Sequence, residues 1–422
     1  MVKRVYQEIQ LDEQRFDLYA SVGFEVGGDL KAIPVSRVSL VLALDVATNC
    51  ILSYSLALTA APNQDDILEC LGKLHKPWQP RDLVTPGLSY PPGAGFPVGI
   101  VHGAENLAPG EFRLDNAWAH SANTIRHYIA ESLGATLNLG IPASPKQRNW
   151  VEYAFKLASD QAHRFVSTSG SHPNDPKKQS KKNSKKPPII NLLTVEEYLD
   201  VLFATHNATP KPFLEGATPL EIIQEQIQTK YLPVLSELAV KSLNVLTDTK
   251  TVTVRWDKSG FRLPHINFAG VRYRGDCLAQ SDLVNQKIRI QIDRKDIRHV
   301  TAYTLLGEKL GTLDAPRSWQ RFAHSLRTRK LIFDYTKSRR RKIQDQHADF
   351  FAYLLENKEL PSTALEIVRV YREATQNQGV KLIPLAEETV HEGSTRSETS
   401  ANNDQEFPDW TPDFSGIEDD DL

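Results

Sequence analysis

Residues 37–45, RVSLVLALD, form an almost unbroken apolar run. A run this short and this apolar reads as a strand covered on both faces, because a half-exposed strand would alternate polar and apolar positions. It is flanked by QRFDLYASVGF at 14–24 and by CILSYSLALT at 50–59, both alternating and rich in aromatic and β-branched residues. The turn VATN at 46–49 joins the second and third runs, so residues 14–58 read as a three-stranded meander. A meander with a doubly covered central strand needs helices on both faces, and these follow. DDILECLGKLHKPW at 65–78 has helical spacing through Ile67, Leu68, Leu71 and Leu74. FPVGIVHG and GEFRLD read as short strands, and ANTIRHYIAESLG as a helix ending at Gly134. Another helix is expected from Pro145 to Phe165, with Val151, Phe155, Ala158, Ala162 and Phe165 on one face. The fold class is therefore α/β with a mixed sheet over residues 1–167.

Beyond this domain the composition changes repeatedly. Residues 168–188 hold six lysines and no large apolar side chain, the pattern of a flexible basic loop or a solvated spacer. Residues 189–245 read as a helical extension, with Thr218 as the cap before Pro219. Short strands with turn residues every eight to twelve positions predict a small β-barrel over 246–316. Residues 317–380 read as a basic helical region. Residues 387–422 carry twelve acids against one base, which leaves 49 basic against 40 acidic residues in 1–386. The basic body suits a polyanionic partner, and the acidic tail from 381 is expected to stay disordered alone. No apolar run is long enough for a membrane span and the N-terminus lacks a secretory pattern, so a cytoplasmic protein is expected. Cys50, Cys70 and Cys277 are few and far apart, which suggests reduced, buried thiols and neither a disulfide framework nor a zinc site.

Three acids stand where such a sheet could gather them. Asp17 lies in the first strand, Asp115 ends the strand EFRLD, and Glu152 opens the helix that follows. Carboxylate oxygens are hard ligands suited to Mg²⁺, and two such ions about 3.5–4 Å apart can activate an attacking oxygen and stabilise a leaving one in phosphodiester displacement. Each residue also has an ordinary structural role available: an edge-strand charge for Asp17, a turn for Asp115, an i,i+4 partner of Lys156 for Glu152.

The order and context of these residues carry a resemblance. RFDLYAS, then LVLALDVATNCILSYSLAL, then FRLDNAWAHS, then IPASPKQRNWVEYAFK together resemble the retroviral-integrase-type catalytic core of Mu and TnsB-like transposases, whose fold is ribonuclease H-like. The downstream segments GFRLPHINFAGVRYRGDCLAQ and QKIRIQIDRKDIRHVTAY resemble the β-barrel that follows that core in Mu-type enzymes, so the likeness spans about residues 14–314. It implies a DDE triad at Asp17, Asp115 and Glu152, with 36 residues between the last two and with Asp45 as the rival first acid. Helical end-recognition domains ordinarily precede such a core, whereas here the first acid is residue 17, which points to a truncated or split product or to end recognition by another chain.

The resemblance further implies metal-dependent 3′-end cleavage and strand transfer, with two Mg²⁺ ions as cofactor and Mn²⁺ able to substitute. Its partners would be transposon-end and target DNA, a homo-oligomer assembled on that DNA, and association with the nucleoid. Lys146, Gln147, Arg148 and Asn149 are placed to hold DNA phosphates, and Asn116 and His120 either do the same or pack behind the acids. Arg327, Arg329, Lys330, Arg339, Arg340 and Arg341, interleaved with Trp319, Phe322 and Tyr335, read as a DNA-contacting helix or a solvated face. Phe407, Trp410 and Phe414 stand in the acidic tail as aromatic anchors, a docking segment for an AAA+ ATPase target selector. Two other functions stay open: a catalytically inactive or truncated DNA-binding or assembly subunit, and a simple metal-dependent nuclease.

Overall fold

The structure, a computed structural model, describes residues 4–26, 29–57, 62, 64–114, 123–139, 149–162, 190–243, 247–256, 263–279, 283–320 and 322–339, with short pieces at 350, 353–354 and 369–370. It divides into two compact units, one reaching from the N-terminus to Leu243 and one within Asn244–Lys381.

The first unit is built on a mixed sheet. β1 (Glu8–Val26), β2 (Asp29–Asp45) and β3 (Cys50–Ala57) are antiparallel neighbours. Helix α1 (Gln64–Lys73) follows, then β4 (Glu111–Arg113), α2 (Asn123–His127, continued by a π turn to Ser132) and β5 (Thr136–Asn138). β4 runs parallel to β1 and β5 parallel to β4, giving the mixed sheet the order β3-β2-β1-β4-β5. Helix α3 spans Asn149–Ala162, and the short β6 (Ile190–Asn191) pairs with β1 before α4 (Leu192–Asn207). α5 (Pro219–Thr229) starts at the predicted Thr218, which forms a full capping box with Glu221. A short α6 (Glu237–Ser242) closes the unit.

The sheet is covered on both faces, as the RVSLVLALD run required. On one face Leu40, Leu42 and Leu44 of β2 pack with Val151, Ala154 and Phe155 of α3 and with Leu199, Leu202 and Phe203 of α4. On the other, α1 lies against β2 and β3: Ser53 Oγ donates to the Cys70 carbonyl at 2.9 Å, and Ser55 Oγ to that of Asp66 at 2.8 Å. Two expectations need correction. β1 begins at Glu8 rather than near residue 14, because Ile9 and Leu11 are fully buried despite their charged and amide neighbours. FPVGIVHG is no strand: Pro97–Ile100 forms a tight turn in which Gly99, at φ 136°, packs against the Trp78 backbone so closely that a Cβ would lie 2.4 Å from its carbonyl oxygen.

The second unit holds an antiparallel sheet of β7 (Thr247–Thr253), β10 (Lys287–Asp293), β11 (His299–Tyr303) and β12 (Lys309–Asp314), in the order β12-β11-β10-β7. A separate hairpin pairs β8 (Ile266–Phe268) with β9 (Val271–Tyr273). β10 alternates cleanly, with Ile288, Ile290 and Ile292 inward and Lys287, Arg289 and Asp293 outward. Helix α7 (Leu326–Arg339) follows this sheet. Cys50 and Cys70 are buried free thiols as expected, but Cys277 is only partly buried.

Candidate active site

The register of β1 decides which acids can meet. Along its regular part Gln10, Asp12 and Gln14 stand opposite Leu44, Leu42 and Leu40 of β2. Directly opposed residues share a face of an antiparallel sheet, and those leucines face α3. Gln10 and Asp12 therefore lie on the face that α3 covers. The buried Gln10 makes the connection explicit, since its Oε1 accepts the Val151 amide N–H at 3.4 Å. Glu152, the next residue of α3, is exposed, and Asp12 is partly exposed, with Oδ1 accepting the Glu13 amide at 2.8 Å.

β4 approaches β1 from its other edge. Glu8, Ile9 and Gln10 pair in parallel with Glu111, Phe112 and Arg113. Arg113 forms an ion pair with Glu8 at 3.0 Å, and Asn138 of β5 donates to Glu111 at 2.8 Å, so the three strands are laced at their polar edge. Leu114, the residue after β4, is buried and donates its amide to the Asn138 carbonyl at 3.0 Å.

Asp17 belongs to a different stretch of β1. It falls between Phe16 and Tyr19, where the pairing with β2 shifts register. Its backbone position is five residues beyond Asp12, about 16 Å at strand rise. Asp12 and Asp17 therefore stand at different levels of β1. The expected meander starts at residue 14, which leaves Asp12 outside it, whereas β1 spans Glu8–Val26. The available signal was the alternation of buried Ile9 and Leu11 with Gln10 and Asp12.

Asp45, the rival acid, is a structural residue. It stands opposite Ile9, on the sheet face away from Gln10 and Asp12. Fully buried, it accepts the Tyr6 amide at 2.8 Å, the Thr48 amide at 3.1 Å and the Thr48 hydroxyl at 2.7 Å, and so clamps the β2–β3 turn to the entry of β1. Burial pushes its carboxyl up to about 6, against the lowering effect of those three hydrogen bonds.

The remaining predicted residues divide. Asp115, Asn116, His120, Lys146, Gln147, Arg148, Arg340, Arg341, Phe407, Trp410 and Phe414 lie outside the described residues, while Asn149 opens α3 and Arg339 ends α7. Arg327 and Lys330 are exposed on α7. Arg329 is not available to DNA, which corrects its assignment: it is fully buried, together with Trp319. Its Nε donates to His324 Nε2 at 3.0 Å, Nη2 donates to the Ile297 carbonyl at 3.2 Å, and Nη1 donates to the Tyr273 hydroxyl. Among the described residues no group of three or more His, Cys, Asp or Glu side chains gathers to hold a metal. Asp12 and Glu152 supply hard oxygen donors, the kind Mg²⁺ or Mn²⁺ accepts.

No protein-family model matches the chain, and no curated protein matches it. Among solved structures it is similar to the catalytic core domain of BIV integrase, at 14% identity and a TM-score of 0.30 over 53% of this chain and 97% of that one. It is also similar to a simian T-cell lymphotropic virus intasome in complex with a regulatory subunit, at 16% identity and a TM-score of 0.27 over 68% of this chain and 78% of that one. Among the described residues no helix is long and apolar enough to cross a membrane.

Proposed function

We propose that this chain is a DNA transposase of the Mu and TnsB-like kind, with Asp12, Asp115 and Glu152 as its three acids. What carries the reading is the parallel register of β1 and β4. Gln10 is paired with Arg113; Asp12 follows the first by two residues and Asp115 follows the second by two. Asp115 itself lies outside the described residues; the reading extends the β1–β4 pairing to it, and carboxylates on adjacent strands about 4.8 Å apart would suit a shared ion. The bond from Val151 to Gln10 brings Glu152 to the same end of β1. Asp17 has no comparable support.

Divalent ions bound there would supply a polarised phosphate and an activated oxygen nucleophile. The chain's part would be to present three carboxylates, with the helix that carries Glu152 seated on the packed leucine layer. Repulsion among them without metal favours partial protonation, which cation binding relieves. DNA phosphates would be held by Lys146, Gln147, Arg148 and Asn149 before α3, and by Arg327 and Lys330 on α7. The chain would work as a homo-oligomer on transposon-end and target DNA. The tail, through Phe407, Trp410 and Phe414, would engage an AAA+ target selector, and deletion of residues 404–422 should abolish that binding while leaving DNA joining intact.

The test is strand transfer of a pre-cleaved DNA end into a target plasmid with Mg²⁺ or Mn²⁺. Joined product from the wild type, lost in Asp12→Asn, Asp115→Asn and Glu152→Gln but kept in Asp17→Asn, is the expected result. Cleavage without joining would make the chain a metal-dependent nuclease. No product from the wild type in the presence of its end-binding partner would make it an inactive assembly subunit.

A further inference from the structure

We infer that Gln10 is a positioning residue that fixes α3, and so Glu152, against the strand that carries Asp12. The inference rests on the metal-site reading above. Gln10 is a buried polar side chain facing the apolar layer of β2 and α3: it stands opposite Leu44, beside Leu42, Leu40, Val151 and Phe155, with the polar Glu8 and Asp12 on either side of it along β1. A polar group there costs free energy unless it is bonded. Its acceptor meets the amide of Val151, the third residue of α3. The first N–H groups of a helix have no partner within the helix, and a side-chain acceptor at that end fixes both the start and the direction of the axis.

Here the acceptor comes from a residue 141 positions away. The cap is therefore also a crosslink. It joins the backbone one residue before Glu152 to the strand two residues before Asp12. A rotation or slide of α3 by one ångström would pass directly into the separation of the two carboxylates, and octahedral Mg²⁺ sites at about 2.1 Å tolerate little of that. Residues that orient ligands in this way typically govern metal affinity by 10–100-fold.

The experiment uses the full chain and two variants, Gln10→Met, which keeps length and loses the acceptor, and Gln10→Glu, which keeps an acceptor. Hydrogen exchange over residues 149–155 reads the cap without reference to function. Mn²⁺ binding followed by electron paramagnetic resonance reads the metal site without requiring turnover. Gln10→Met should lose protection at the Val151 amide and bind Mn²⁺ at least about tenfold more weakly, and Gln10→Glu should retain both. Two results overturn the proposal: a Gln10→Met protein with wild-type Mn²⁺ affinity, or a Gln10→Glu protein that falls as far as Gln10→Met. A wild-type chain that binds no Mn²⁺ defeats the metal-site reading itself and this inference with it.

Discussion

The guanidinium carbon of Arg329 lies 4.9 Å from the centre of the Trp319 ring and 5.4 Å from that of Tyr273. It is held by two aromatic faces, the Ile297 carbonyl, the Tyr273 hydroxyl and the unprotonated Nε2 of His324, whose Nδ1 faces the Phe322 carbonyl at 2.8 Å, while the Asp296 carboxylate acts on it through its charge. Burial pushes its pKa down while the Tyr273 contact opposes that. A basic residue on a basic helix is here the centre of a core.

Arg329→Ala should therefore destabilise the second unit by about 3 kcal/mol or more, since it leaves a cavity and several unpaired buried polar groups. Arg327→Ala and Lys330→Ala should leave the melting temperature nearly unchanged and each flatten the salt dependence of DNA binding by about 0.9 in log–log slope. Calorimetry together with a salt titration separates the two classes. A stable Arg329→Ala protein with weakened DNA binding would reverse the assignment.

His206 sets an acid limit on the first unit. Its Nε2 meets the Asn49 carbonyl at 2.9 Å and its Nδ1 meets Lys211 Nζ at 3.2 Å, so the neutral ring donates on one side and accepts on the other. Burial and the Lys211 charge hold its pKa down at about 3. A group whose folded pKa is depressed supplies stability that is present above its unfolded pKa, about 6.5, and is lost as pH falls toward the folded value. Each unit in that window costs about 1.4 kcal/mol. Denaturant titrations at pH 7 and pH 5 should show the wild type losing about 2 kcal/mol more than His206→Gln; parallel losses would refute the assignment.

The sequence made the meander, the doubly covered second strand and the Thr218 cap legible because each depends on local pattern. RVSLVLALD cannot be half exposed, and a Thr before Pro with Glu three residues on can satisfy a helix start by itself. What it did not make legible depends on pairing. Gln10 is the residue level with Arg113, and a segment containing both Asp12 and Asp17 offers no local signal for how far each stands from that pair. Arg329 fails for the same reason: its burial is decided by Tyr273 and Ile297, 56 and 32 residues away.

Asp45 offers a test of that distinction at the first strand turn. Its pKa is raised to about 6, so its contribution to stability is fully present below its unfolded value and falls away as pH rises through 6. Asp45→Asn removes the titration and keeps an acceptor for one of the Tyr6 and Thr48 amides, which bond to separate oxygens. The variant should fold, and its stability relative to wild type should rise by about 1–3 kcal/mol between pH 4 and pH 8. It should also retain metal-dependent joining, whereas Asp12→Asn should not. Loss of joining in a well-folded Asp45→Asn protein would return Asp45 to the site.

Asp200 holds a long loop to the core. From the buried face of α4 it accepts the Tyr54 hydroxyl at 2.8 Å, the Tyr90 hydroxyl at 2.6 Å and the Trp78 indole N–H at 3.1 Å. One turn earlier Glu197 accepts the amides of Val84 and Thr85, both at 2.9 Å. These two carboxylates anchor the proline-rich stretch between Trp78 and Phe96 alongside the Arg81–Glu196 ion pair, and the Phe96 ring stacks on Tyr54 in the same cluster. Asp200→Ala removes one acceptor and strands three donors, which predicts a loss of about 3–5 kcal/mol. The release should be visible as a red shift of Trp78 emission at denaturant concentrations where the far-ultraviolet signal is still native. Glu197→Gln retains an acceptor for only one of the two amides, which bond to separate oxygens, and should lose about 1–3 kcal/mol. If Asp200→Ala unfolds in one step with no early change in Trp78, the loop is held by its own packing and not by the carboxylate.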